Sequence, residues 1–104
     1  MPKDRHAISL AAATRLTTTF RTKHPDAARC WGFDRSAFHR ILGQPGCEGI
    51  RIYLGQKQDG TVTPVMVGYD AKGRDLAKGE IAEEAGPCPP YCDDRSPLHG
   101  GTRA

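Results

Sequence analysis

The plainest pattern in the chain is an alternation over Gly49 to Gln56. Ile50, Ile52 and Leu54 point one way while Arg51, Tyr53 and Gly55 point the other. That period of two predicts a half-buried β-strand. Gln58-Asp59-Gly60 follows with turn chemistry, since Asp-Gly suits backbone that needs positive φ. Thr63 to Tyr69 is the expected partner strand, with Val65, Val67 and Tyr69 on one face and Met66 and Gly68 on the other. Pro64, which has no N–H to give, marks a strand entry or an edge. Asp70-Ala71-Lys72-Gly73 reads as a second turn, and a short third strand is expected around Glu80 to Glu83.

Upstream the period changes. Ser9 has the chemistry of a helix N-cap, and Ile8 before it that of a hydrophobic staple. Ala13, Leu16 and Phe20 then fall at i, i+3 and i+7, one helical face. This predicts a helix from Leu10 to about Thr22, ended by Pro25, because the residue before a proline is pushed away from helical angles. Trp31 and Phe33 are expected to anchor the connector that follows. Asp34 caps a second helix, Arg35 to Leu42, whose apolar face is Ala37, Phe38, Ile41 and Leu42. Gly43 is placed as a left-handed C′ residue, with Pro45 just beyond.

Together these elements predict an α+β fold, two N-terminal helices packed on a small antiparallel sheet made of a hairpin and a third strand. A hairpin alone is marginal in water. The expected core is therefore Ile50, Ile52 and Leu54 beneath Leu16, Phe20, Phe38 and Ile41. Residues 1–8 are expected to be flexible, 9–92 to form one domain, and 93–104 to be a disordered tail. The Pro-rich stretch Gly86 to Cys92 reads as a C-terminal strap.

Composition narrows the picture only a little. The chain has 104 residues, enough for one small core. No apolar run approaches the roughly 20 residues of a membrane helix. The charged start, Met1 to His6, leads into no apolar segment, so a cytoplasmic protein with reduced thiols is expected. Residues 1–40 hold eight Lys/Arg against three acids, whereas 41–104 hold seven against nine. The basic helical half reads as solvated helix faces, or as a surface for an anionic partner such as nucleic acid.

Candidate chemistry centres on four cysteines. Cys30 and Cys47 flank the second helix, and Cys88 and Cys92 form a C-x₃-C around Pro-Pro-Tyr. Four thiols suit zinc, although zinc knuckles usually present C-x₂-C. A Cys88–Cys92 disulfide or a redox pair is sterically open. The plainer reading makes Cys30 and Cys47 small buried apolar groups. None of His6, His24, His39 and His99 pairs at i, i+4 spacing. No serine sits in a nucleophile elbow, no glycine-rich loop opens a helix after a strand, and Glu80, Glu83 and Glu84 read as a solvated cluster. No catalytic signature emerges.

Gln44-Pro45-Gly46-Cys47-Glu48-Gly49-Ile50-Arg51-Ile52-Tyr53, Asp59-Gly60, Val65 to Leu76 and Pro87 to Cys92 resemble recurring stretches of a set of small bacterial proteins of unknown function. The likeness runs from about Ser9 to Cys92. It implies no activity. It does imply that Cys47, Cys88 and Cys92 belong to recurring motifs.

Three functional expectations follow. The first is a non-catalytic module that binds itself or another protein, without cofactor, through Arg51, Tyr53, Val65, Val67, Tyr69 and Tyr91. The second is a metal- or redox-active thiol protein using Cys47, Cys88 and Cys92, with Cys30 completing a zinc set. The third is nucleic-acid binding through the basic helical half, with Arg51 and Tyr53 as a stacking platform.

Overall fold

A computed structural model describes residues 5–100, so the expectations for 1–4 and 101–104 lie outside the described residues. The order of elements is α1 (Leu10–Lys23), β1 (Cys30–Gly32), α2 (Arg35–Leu42), β2 (Gly49–Gln56), β3 (Val62–Tyr69), β4 (Ile81–Ala82) and β5 (Gly86–Cys88). The fold is α+β, with one sheet ordered β2-β3-β4 and a second made of β1 and β5. No helix among the described residues is long and apolar enough to cross a membrane. The described residues divide into two compact units, one of residues 5–30 and 88–100, the other Trp31–Pro87.

In the Trp31–Pro87 unit, β2 pairs antiparallel with β3 from Gly49↔Tyr69 to Gln56↔Val62. The third strand is present as β4, which pairs with β3 at Met66 and Val67. Pro64 lies beyond that short pairing, where β3 has one strand neighbour among the described residues. Residues directly opposed across antiparallel strands share a face. Ile50, Ile52 and Leu54 therefore lie on the face of Gly68, Met66 and Pro64. α2 packs here, and the core is Ala37, Ile41, Met66 and Ala82, with Phe33, Cys47 and Ile50 packed against it. Gly68 permits this approach, because a Cβ there would lie 2.8 Å from Cys47 Sγ and 3.2 Å from Ile41 Cγ2.

The expected core is corrected on two points. Of the strand trio, Ile50 packs inward, but Ile52 is 58% and Leu54 74% exposed. Both lie on β2, which is an edge strand of its sheet among the described residues. Leu16, Phe20 and Phe38 are exposed as well, and no residue of α1 is buried. The half-buried positions of α1 are Ala12, Ala13, Thr14, Thr17 and Arg21, a small and polar face. Gly43 is also corrected: its φ of −76° is right-handed, and the positive φ falls instead at Gly46. The constraint at Gly43 is steric, since a Cβ would approach the His39 carbonyl oxygen to 2.9 Å.

In the other unit, Ser9 caps α1 as expected, its Oγ accepting from the Ala12 N–H at 3.0 Å. Of the expected strap, Gly86–Cys88 is strand β5, and Cys88–Cys92 is a loop closed by a disulfide, with Cα atoms 4.9 Å apart. Both peptide bonds into Pro89 and Pro90 are cis. Asp93 to Gly100, expected to be part of a disordered tail, makes successive turns. The Ser96 N–H donates to Asp93 O and the Gly100 N–H to Pro97 O, both at 3.1 Å. Arg21 Nη1 on α1 donates to Leu98 O at 2.9 Å.

Candidate functional site

Two places carry chemistry, one in each unit. The first is β2 and the surface around it. β2 has β3 as its one neighbour in the sheet, so its other edge is unpaired among the described residues. Exposed Ile52 and Leu54 lie on one side of this edge strand.

On the opposite face, β2 presents Arg51 and Tyr53. Asp75, on the segment returning from β3, is bridged to Tyr69 through the backbone. It engages both β2 side chains. Arg51 Nη1 donates to Asp75 Oδ1 at 2.5 Å and to Gly73 O at 3.0 Å. The Tyr53 hydroxyl donates to Asp75 Oδ2. The Arg51 guanidinium also sits over the Tyr69 ring, 4.8 Å from its centroid. The Tyr53 hydrogen bond, with the Arg51 guanidinium behind it, holds the Asp75 carboxyl below the usual carboxylate range. The same bond pushes the Tyr53 phenol up, and the bond from Arg51 to Asp75 raises the guanidinium. Each effect has one physical basis, a hydrogen bond that favours a particular protonation state. Arg51 and Tyr53 are thus occupied within their own chain.

The other expected binding residues are distributed differently. Val67 is buried, flanked by Arg51 on β2 and Ile81 on β4, because β3 is the central strand at that point. Val65 and Tyr69 are half-buried. Tyr91 is exposed, at the tip of the disulfide loop. Exposed apolar side chains of this unit include Ile52 and Leu54 on one face of the sheet and Ile81, opposite Val67, on the other. Among the basic residues of the first 40, Arg40 pairs with Glu80 at 3.2 Å, and Arg21 and Arg29 have partners in the C-terminal turns.

The second place is the disulfide. Cys88 is fully buried and Cys92 half-buried. His99 comes back onto them, its Nδ1 3.6 Å from Cys88 Sγ. Its Nε2 lies 3.5 Å from Asp94 Oδ1. The Arg29 guanidinium approaches the ring, with Nη1 3.4 Å from Nδ1, and donates to His99 O at 3.4 Å. The Arg29 backbone N–H donates to Cys88 O at 2.7 Å. A cleft of about 380 Å³ opens beside these groups, lined by Pro25, Asp26, Arg29, Pro90, Cys92 and His99 among others.

Of the four cysteines, Cys88 and Cys92 are brought together. Cys30 is free and exposed on β1, not the buried apolar group of the plainer reading. Cys47 is free and half-buried, its thiol donating to Gly49 O at 3.4 Å. His99 and Asp75 are the residues that sequence reasoning passed over. A histidine seven residues beyond the C-x₃-C was a signal for the first. Nothing periodic could tie Asp75 to Arg51. The chain matches no family model, no curated protein and no solved structure.

Proposed function

We propose that the protein is a non-catalytic association module that pairs with a second copy of itself through β2. One observation carries this reading: β2 is an eight-residue edge strand whose Ile52 and Leu54 are exposed. Natural proteins guard such edges with lysine, proline, bulges or a covering element. β2 has no lysine or proline, and its single charge, on Arg51, is matched by Asp75. Two β2 strands side by side would bring no unbalanced charge together. A two-fold pairing lets one strip meet itself. Backbone N–H and C=O groups along the edge would then find partners, while Ile52 and Leu54 leave water.

α1 carries exposed Leu10, Leu16 and Phe20 as well, but a helix has no free backbone groups along its side to add to an apolar contact. Nucleic-acid binding has less behind it, because the guanidinium of the supposed platform is already engaged. Sedimentation equilibrium over a wide concentration range tests the reading. A concentration-dependent dimer that the I52K/L54K double variant abolishes supports it. A chain that stays monomeric at millimolar concentration overturns it.

A further inference from the structure

We propose that when the Cys88–Cys92 bond is reduced, Cys88, Cys92 and His99 bind one zinc ion, making the C-terminal loop a redox-gated metal site. This is independent of β2, which lies in the other unit. The ligand atoms of these three side chains all lie within 4.8 Å of one another, and they are mixed sulfur and imidazole donors. Tetrahedral zinc holds sulfur at about 2.3 Å and nitrogen at about 2.0–2.1 Å, which puts an S and an N ligand roughly 3.6 Å apart. Cys88 Sγ and His99 Nδ1 already stand 3.6 Å apart. The imidazole needs no large movement. The sulfurs do, since two thiolates on one zinc sit roughly 3.8 Å apart, so the bonded disulfide and the metal exclude each other.

The chemistry balances as follows. A dithiol reductant passes two electrons and two protons to the Cys88–Cys92 bond. That bond breaks to two thiols, and the reductant closes to its own disulfide. Zn²⁺ then displaces both thiol protons, which leave to solvent. Two thiolates and a neutral imidazole around Zn²⁺ make a group of zero net charge, so the neighbouring Arg29 guanidinium does not face a cation. His99 coordinates through Nδ1, which leaves Nε2–H to Asp94 Oδ1, the carboxylate–imidazole–metal arrangement that orients a ligating ring. Three protein ligands leave a fourth position, and Cys92 and His99 both line the cleft beside it.

The test titrates Zn²⁺ alone, against a chromophoric chelator, into full-length protein reduced with a phosphine that is then removed anaerobically. One zinc per chain is expected in the reduced protein and none in the oxidised protein. Loss of an outer-shell partner alone costs about 10–100-fold in metal affinity, so Cys92→Ser and His99→Ala should each cost about 100-fold or more. Neither residue is fully buried, and circular dichroism reports whether the variants fold. Cys30→Ser and Cys47→Ser should bind as the parent does. Cobalt in place of zinc adds a second readout, a thiolate-to-cobalt charge-transfer band that Cys92→Ser weakens. Absence of stoichiometric zinc from the reduced parent overturns the proposal. So does full affinity retained in both Cys92→Ser and His99→Ala.

Discussion

Ile52 and Met66 are direct partners across β2 and β3 and share a face, yet Met66 is 1% exposed and Ile52 58%. The difference is one of place in the sheet. Met66 lies on β3, between Ile52 on β2 and Ala82 on β4, and joins Ala37 and Ile41 in the core. Ile52 lies on β2, which has β3 as its one neighbour among the described residues. The two side chains should respond differently to truncation. Met66→Ala is expected to cost about 2–5 kcal/mol, the usual range for emptying a core site. Ile52→Ala should stay within about 0.5 kcal/mol in the monomer, as exposed substitutions do. Urea unfolding at low protein concentration measures both.

Gly68 should be intolerant for a reason that can be isolated. An added methyl meets Cys47 Sγ and Ile41 Cγ2. Overpacking of this kind costs about 1–3 kcal/mol. Cys47→Ala removes the nearer obstacle. Gly68→Ala should therefore be less harmful in a Cys47→Ala background, and a double-mutant cycle should return a favourable coupling of about 0.5 kcal/mol or more. Simple additivity would mean that the sulfur is not what the new methyl meets.

Asp75 should make stability sensitive to acid. Its carboxyl is held below the usual range by the Tyr53 hydroxyl first, with Arg51 adding to it. A depressed folded pKa contributes stability above the unfolded pKa of about 3.9, and that contribution is lost as pH falls through the folded value. The parent should therefore be more stable than Asp75→Asn near neutral pH. The gap should close in strongly acidic solution. Tyr53→Phe removes the leading cause, so the Asp75 carboxyl should titrate at a higher pH, as carboxyl NMR would read directly. A gap between parent and Asp75→Asn that does not change with pH would count against this account.

Local pattern carried most of the secondary structure. The alternation over Gly49–Gln56 gave β2 its limits, and the punctuation from Asp34 to Gly43 gave α2 its own. Period told which residues share a face, but not whether the face is covered. Leu16 and Phe20 have helical spacing yet lie exposed. Ile52 has strand spacing, but its cover depends on its strand's place at the edge of the sheet. The site was partly visible. The C-x₃-C stood out, but the return of His99 onto Cys88 depends on turns between Asp93 and Gly100 that no periodicity announces.

Those turns lead to a final prediction. Of the described residues in the unit built from the two chain ends, Cys88 is the one that is buried. That unit has no apolar core comparable to Ile41 and Met66. Its order rests on the disulfide and on hydrogen bonds such as Arg21 to Leu98 O. In the chain-entropy account, closing so short a loop restricts the unfolded chain by about 2 kcal/mol. Reduction in the presence of a strong chelator, which keeps any metal from substituting for the bond, should therefore loosen this unit first. Exposed Lys23 and Arg95 should become the fast sites of tryptic cleavage. Amide protons of β2 and β3 should keep their protection, since their core contains neither Cys88 nor Cys92. Exchange monitored by mass spectrometry would resolve the two units. Uniform loss of protection along the chain on reduction would show that they unfold as one, and that the disulfide supports the sheet as well.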